Sequence, residues 1–236
     1  MRLGLGAASS SIWIFRALID RTAGRILFAR HGSEHRAMLD EIWKCAEQRW
    51  DGLPPQSTLG ASITVRLAAL TAYAYEVLLT RDIPARDATK TVYDIAWAIY
   101  QKMGGAAWIA SGILSRDTFL RLRIATVAFR VFPFSAPSYE WKVVESAVGV
   151  VAFDCLRCPV AEYFKQQALS ELCVQSWCAL DFELASTVWN ARLERSGSIA
   201  GGARSCDFRW HAETTWRRVD AMPVLESSSR GSEATA

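Results

Sequence analysis

Apolar residues recur at helical spacing up to Pro137 and change their period beyond it, a switch that limits the fold to a helical part followed by a part containing strands. Residues 34–50 set Met38, Ile42, Trp43, Ala46 and Trp50 on one face, with Glu34, Asp40, Glu41, Lys44 and Glu47 largely elsewhere. Gly52-Leu53-Pro54-Pro55 ends that helix, because proline brings no amide donor and clashes with the preceding turn. A second helix is expected over Leu59 to Leu79. A third starts after Pro84, with Asp87 near its N-terminus and Val92, Ile95, Ala96 and Ile99 on its apolar side, and Gly104-Gly105 is expected to stop it. A fourth runs from about Ser115 to Phe132, where Pro133 breaks it.

Beyond Pro137, Tyr139 to Phe153 is rich in valine and partly alternating (Trp141, Val143, Glu145, Ala147), which predicts one bent strand or two short ones. Cys158-Pro159 reads as a helix start, since proline is tolerated in the first turn. Helical spacing continues through Tyr163-Phe164 and again from Ser170 to about Val188. Two strand-like runs follow, Ala191 to Ile199 and Ala203 to His211, joined at Gly201-Gly202 as a hairpin. The expected class is α+β: a helical N-terminal layer, then a β-α-α-β-β unit with an antiparallel sheet. A single domain over 1–221 is expected, with 1–137 helical and 138–211 carrying the cysteine motifs. The serine-rich tail, 222–236, has little to bury and is expected to be disordered.

The chain has 236 residues, 51% of them apolar, so it needs no disulfides to build a core. A formal charge of +3 is too small to indicate nucleic acid. Arg116, Arg121, Arg123 and Arg130 are spaced as the wet face of an amphipathic helix. No apolar run reaches the roughly 18–20 residues of a membrane span, Met103 to Leu114 being short and interrupted by glycines. Met1 to Ser9 has some features of a leader, but the apolar stretch runs on into Ile12 to Ile19 at helical spacing, as mature protein does. A cytoplasmic location is expected, in which cysteines are reduced thiols, metal ligands or a nucleophile.

Five of the six cysteines lie between 155 and 206. Cys158 falls where a strand hands over to a helix, so backbone amides and the helix dipole would stabilise its thiolate. It is then either a nucleophile with a depressed pKa or a small buried residue at a tight turn. Cys155 and Cys158 form a C-x-x-C, but Cys155 is expected on the strand, which argues against a redox pair. Cys178 and Asp181 share a helix face, whereas Cys173, five residues before Cys178, is expected on another. Leu180, Phe182 and Leu184 flank Asp181, so burial should raise its pKa into a range suited to proton transfer. Cys206 and Asp207 point to opposite faces of a strand, with Arg209 on the Asp207 face. That pair would either hold a substrate carboxylate or lie on the surface. Zinc on Cys158, Cys178 and Cys206 with Asp181 lacks the paired spacing of structural sites. His31 and His35, separated by Gly32-Ser33, read as solvent or capping residues. There is no nucleophile elbow, phosphate loop or dinucleotide-binding glycine motif.

Arg157-Cys158-Pro159, Ala161-Glu162-Tyr163-Phe164, Cys178-Ala179-Leu180-Asp181-Phe182, Gly201-Gly202 and Cys206-Asp207-Phe208-Arg209 occur in an order that resembles the L-2-amino-thiazoline-4-carboxylic acid hydrolase family. The resemblance covers roughly 138–211 and departs from the family at Ala168, where a glycine would more usually end the short helix. It implies hydrolytic opening of a 2-aminothiazoline ring to N-carbamoyl-cysteine. In that reading Cys158 is the nucleophile and Asp181 the general acid/base, Cys178 and Cys206 line the site, and Asp207 and Arg209 orient the substrate. The partners expected are a small-molecule substrate and further copies of the chain, not nucleic acid or membrane; the cofactor is left open. The alternatives are a non-catalytic small-molecule, metal or haem binding module using the cysteine cluster, and a helical interaction protein suggested by ten tryptophans.

Overall fold

A computed structural model describes residues 5–213, with side chains from residue 16 onward. The tail expected over 222–236 lies outside them. Five helices come first: α1 (Leu5–His31), α2 (His35–Arg49), α3 (Leu59–Leu79), α4 (Ala85–Leu114) and α5 (Thr118–Val131). Strands β1 (Glu140–Val143) and β2 (Val150–Arg157) follow, then α6 (Pro159–Gln166), α7 (Ser170–Cys173), a π-helical turn over Val174–Cys178, and α8 (Leu180–Thr187). Strands β3 (Ala191–Glu194) and β4 (Cys206–Ala212) complete an antiparallel sheet in the order β1-β2-β4-β3. The class is α+β, with helices in the N-terminal part and the sheet at the C-terminus.

The starts of α3 and α5 are fixed by side-chain caps: the Thr58 hydroxyl accepts from the Ala61 amide at 3.3 Å, and Asp117 accepts from the Leu120 amide at 2.7 Å. α3 buries Ala61, Val65, Ala68, Ala69 and Ala72, small residues that let α2, α4 and α6 pack closely around it. By length and composition α3 could cross a membrane, with a mean hydropathy of 1.2, but 61% of that window is buried inside the fold. Ser62, Thr64, Arg66 and Thr71 interrupt the run, which hid its overall apolarity in the sequence.

Two expectations about boundaries change. α4 does not stop at Gly104-Gly105 but continues to Leu114. Gly104 is there for close approach instead: a Cβ on it would lie 2.1 Å from Leu184 Cδ1, and its carbonyl accepts from the Trp189 indole at 2.9 Å. Tyr139 to Phe153 divides into β1 and β2, one of the two forms expected, and β2 runs on through Cys155 to Arg157. The last two strands are shorter than expected, and residues 195–205 join them as a long loop rather than a tight hairpin. The basic stretch also divides. Arg116 and Arg123 are exposed, while Arg121 stacks on Trp108 and Arg130 on Phe153, each partly buried.

The core has two parts. One joins α2, α3, α6 and α7 around Leu27, Trp43, Leu78 and Phe164. The other joins α4, α5, α8 and the sheet around Leu122, Leu184, Trp189 and Phe208. Cys158 and Ile199 pack against both.

Candidate active site

The helix expected from Ser170 to Val188 is interrupted by the π turn over Val174–Cys178. In a regular α-helix, residues five apart are rotated by about 140° from each other. A π turn closes i to i+5 and returns them to one side. Cys173, expected on a different face, is therefore brought to the same cavity wall as Cys178, close enough for each thiol to shift the other's titration. Two side chains hold the turn: the buried Ser176 hydroxyl donates to the Leu172 carbonyl at 2.6 Å, and the Trp177 indole donates to Thr71 on α3 at 3.1 Å.

One turn further on, Asp181 receives the Tyr100 hydroxyl at 2.7 Å and the Arg195 guanidinium at 3.1 Å. Arg195 also donates to the Cys178 carbonyl at 2.8 Å, between the rings of Phe182 and Phe208. Its side chain is 6% exposed and that of Asp181 17%. Burial raises the Asp181 carboxyl above its ordinary range despite Arg195 and Tyr100, as its apolar flanks predict. The Cys178 thiol is lowered, first by the Cys173 hydrogen bond and then, against burial, by Arg195 and the Ser198 hydroxyl.

Cys158 occupies the position expected, immediately before α6, but its electrostatics are reversed. Burial pushes its thiol well up and outweighs the Ala161 and Val160 amides that favour the thiolate. Any helix N-terminus offers only its first few free amides, and here the burial of the thiol outweighs them. Burial likewise raises Cys155, and pushes Cys206 up to about 11 although it accepts from the Ile199 amide at 3.2 Å. These three thiols, with Cys173, Cys178, Asp181 and Arg195, line one cavity of about 100 Å³. An apolar cavity of about 70 Å³ adjoins it, and Tyr100, Phe134 and Trp177 line both.

Asp207 and Arg209 are not in the cavity. β4 alternates Cys206, Phe208 and Trp210 inward with Asp207 and Arg209 outward, in register with Phe153 and Cys155 facing inward on β2. Arg209 pairs across the sheet with Asp154 at 2.9 Å, so the surface reading holds, with a different partner. Asp207 accepts from the Ser196 amide and hydroxyl and from the Gly197 amide. Although partial burial opposes it, these donors hold its carboxyl below the usual range. It latches the base of the loop that carries Arg195. His35 caps the short turn between α1 and α2 through the Gly32 carbonyl at 2.9 Å. Among the described residues no three His, Cys, Asp or Glu side chains come together in a way that could hold a metal ion. All six cysteines are free.

Two site residues were not among the sequence candidates, Arg195 and Tyr100. Arg195 had a legible signal. It shares strand parity with the inward Ala191 and Leu193, and a carboxylate buried as deeply as Asp181 calls for a cation. Tyr100 sits on α4 and gave no chemical signal.

A family model for L-2-amino-thiazoline-4-carboxylic acid hydrolase matches residues 68–210, further into the helical part than the motifs reach. No curated protein matches the chain. Among solved structures it is similar to an Fe(II) unliganded H-NOX protein from K. algicida, at 13% identity over 86% of this chain and 98% of that one. The TM-score is 0.41, and a likeness so slight carries no argument about function.

Proposed function

Since this chain belongs to the L-2-amino-thiazoline-4-carboxylic acid hydrolase family, we propose that its thiol-lined cavity opens a small cyclic amidine, the 2-aminothiazoline ring, by cysteine-assisted hydrolysis. The observation that carries this reading is the contact chain Cys173–Cys178–Arg195–Asp181. It places a thiol whose titration is lowered one helical turn from a carboxyl whose titration is raised. Such a divergence of titration between neighbours suits nucleophile and general acid.

In the proposed mechanism the Cys178 thiolate adds to the amidinium carbon between ring nitrogen and ring sulfur. The ring carbon–sulfur bond then breaks, and Asp181 gives its proton to the departing sulfur. Water next adds to the carbon now bound to Cys178, with the Asp181 carboxylate taking the proton. Loss of the Cys178 thiolate, with the proton of the original amidinium released to solvent, leaves N-carbamoyl-cysteine and restores both side chains. Tyr100 and Arg195 orient Asp181. Cys158 and Cys206, kept as neutral thiols by burial, line the cavity. The nucleophile is thus assigned to Cys178 instead of Cys158. Six free thiols fit a reducing compartment, and the cytoplasm is the one proposed.

The product carries a new free thiol, so turnover of 2-aminothiazoline-4-carboxylate can be followed with a chromogenic thiol reagent at substoichiometric enzyme. The expected result is turnover by the native chain, none by Cys178→Ser, and retained turnover by Cys158→Ser. Full activity in Cys178→Ser, or an inert native chain, would remove the basis for this assignment.

A further inference from the structure

The cavity contains two arginines, and only one of them faces an acid. Arg195 faces Asp181. Arg130, on the last turn of α5, lies over the Phe153 ring at 4.7 Å, and its Nε is buried without an acceptor. Among the described residues no acid pairs with it. A second donor in the same cavity is also unanswered. Trp210 is 4% exposed, and its Nε1 has no acceptor. The other cavity tryptophans contrast with it: Trp141 donates to the Phe134 carbonyl, Trp177 to Thr71 and Trp189 to the Gly104 carbonyl. Buried donors are almost always satisfied, and an orphan on a cavity wall is open to an acceptor from a water or a ligand. Arg195 thus has an acidic partner within the cavity wall, and Arg130 has none.

We infer that Arg130 and Trp210 form an anion subsite, which receives a carboxylate on the substrate while Asp181 and Cys178 act on its ring. A guanidinium offers a planar fork to a carboxylate, and an indole N–H adds a third, fixed donor. The stacked Phe153, Phe208 and Trp210 rings wall the subsite in apolar surface, where such bonds are stronger than in water. The role that the sequence suggested for Arg209 passes to an arginine from the helical half. The choice of probe rests on the hydrolase reading; the subsite itself rests on the two orphaned donors.

The test is titration calorimetry with 2-aminothiazoline-4-carboxylate and its 4-carboxamide, on the native chain and on R130Q, R130K and W210F. The native chain should prefer the acid, and R130Q should lose acid affinity by on the order of 10- to 100-fold with carboxamide affinity unchanged. W210F keeps the ring and drops the donor, so its loss should be smaller, roughly 2- to 10-fold, and confined to the acid. Thermal melts establish that each variant folds. If R130Q does not fold, R130K and W210F decide, since R130K retains the charge but not the fork and should lose acid affinity in part. Equal native affinity for acid and carboxamide overturns the subsite, as do variants that weaken both ligands alike or neither. Thiol release on the same samples separates the two claims. Acid preference without turnover upholds the subsite and sinks the hydrolase reading; turnover without acid preference does the reverse. Native protein that binds neither ligand overturns both.

Discussion

Asp181 and Cys178 are displaced from their ordinary titration in opposite directions by what lies within a few ångströms of each. Asp181 is desolvated, so the folded state holds its proton more tightly than the unfolded chain does. Its contribution to stability is therefore complete below the ordinary carboxylate pKa of about 3.9 and is lost as the pH rises through the raised folded value. Chemical denaturation from pH 3.5 to 7 should show the native chain losing stability relative to Asp181→Asn as the pH rises. A relative gain would mean a lowered carboxyl and no acid at this position. The same variant should lose roughly 10²- to 10⁴-fold in turnover, the usual worth of a general acid/base. The flanking leucines and phenylalanine made the burial of Asp181 legible in the sequence. They were silent about Tyr100, which is 81 positions away. Of the two readings of Cys158, the thiolate weighs the helix N-terminus without the burial that opposes it, and the direction of its titration goes with the small residue at a tight turn.

Helix and strand periods gave the order of elements, and the misreadings fall where a glycine or an extra residue serves packing. Gly104 admits Leu184 without ending α4, and no local pattern separates that use from a helix stop. Ala168 is the opposite case, an alanine where the backbone needs a glycine. It follows α6 at φ 56, in the left-handed region, where a Cβ is strained by about 1–2 kcal/mol. Ala168→Gly relieves that strain and gives part of it back as unfolded-chain entropy. The melting temperature should rise by roughly 2–4 °C, for a net gain near 1 kcal/mol. An unchanged or lower melting temperature would show that residue 168 is not strained.

At the scale of the whole molecule, the two parts of the core meet at the cavity, and close approaches at two glycines lock helices onto their neighbours. A Cβ on Gly60 in α3 would lie 2.2 Å from the Pro133 carbonyl oxygen, whereas one on Gly104 would meet only the movable end of Leu184. Gly60→Ala should therefore cost more than Gly104→Ala, with overpacking of about 1–3 kcal/mol as the scale, read from urea midpoints. Equal losses would mean that the α3–Pro133 contact yields as readily as a side chain. Neither these approaches nor the union of α4, α5, α8 and the sheet around one cavity was legible in the sequence, because they join residues far apart in the chain. The π turn has a further consequence. It works as a phase offset, one surplus residue stored between Cys173 and Cys178 that dials everything after it round the axis. Deleting the exposed Gln175 would cancel the offset, let α7 and α8 run on in step, and swing Asp181 by about 100° relative to Cys173. Such a shortened chain should keep its helix content by circular dichroism and turn over nothing, so that a single omitted residue, none of whose own atoms is needed for the chemistry, would detune the whole site.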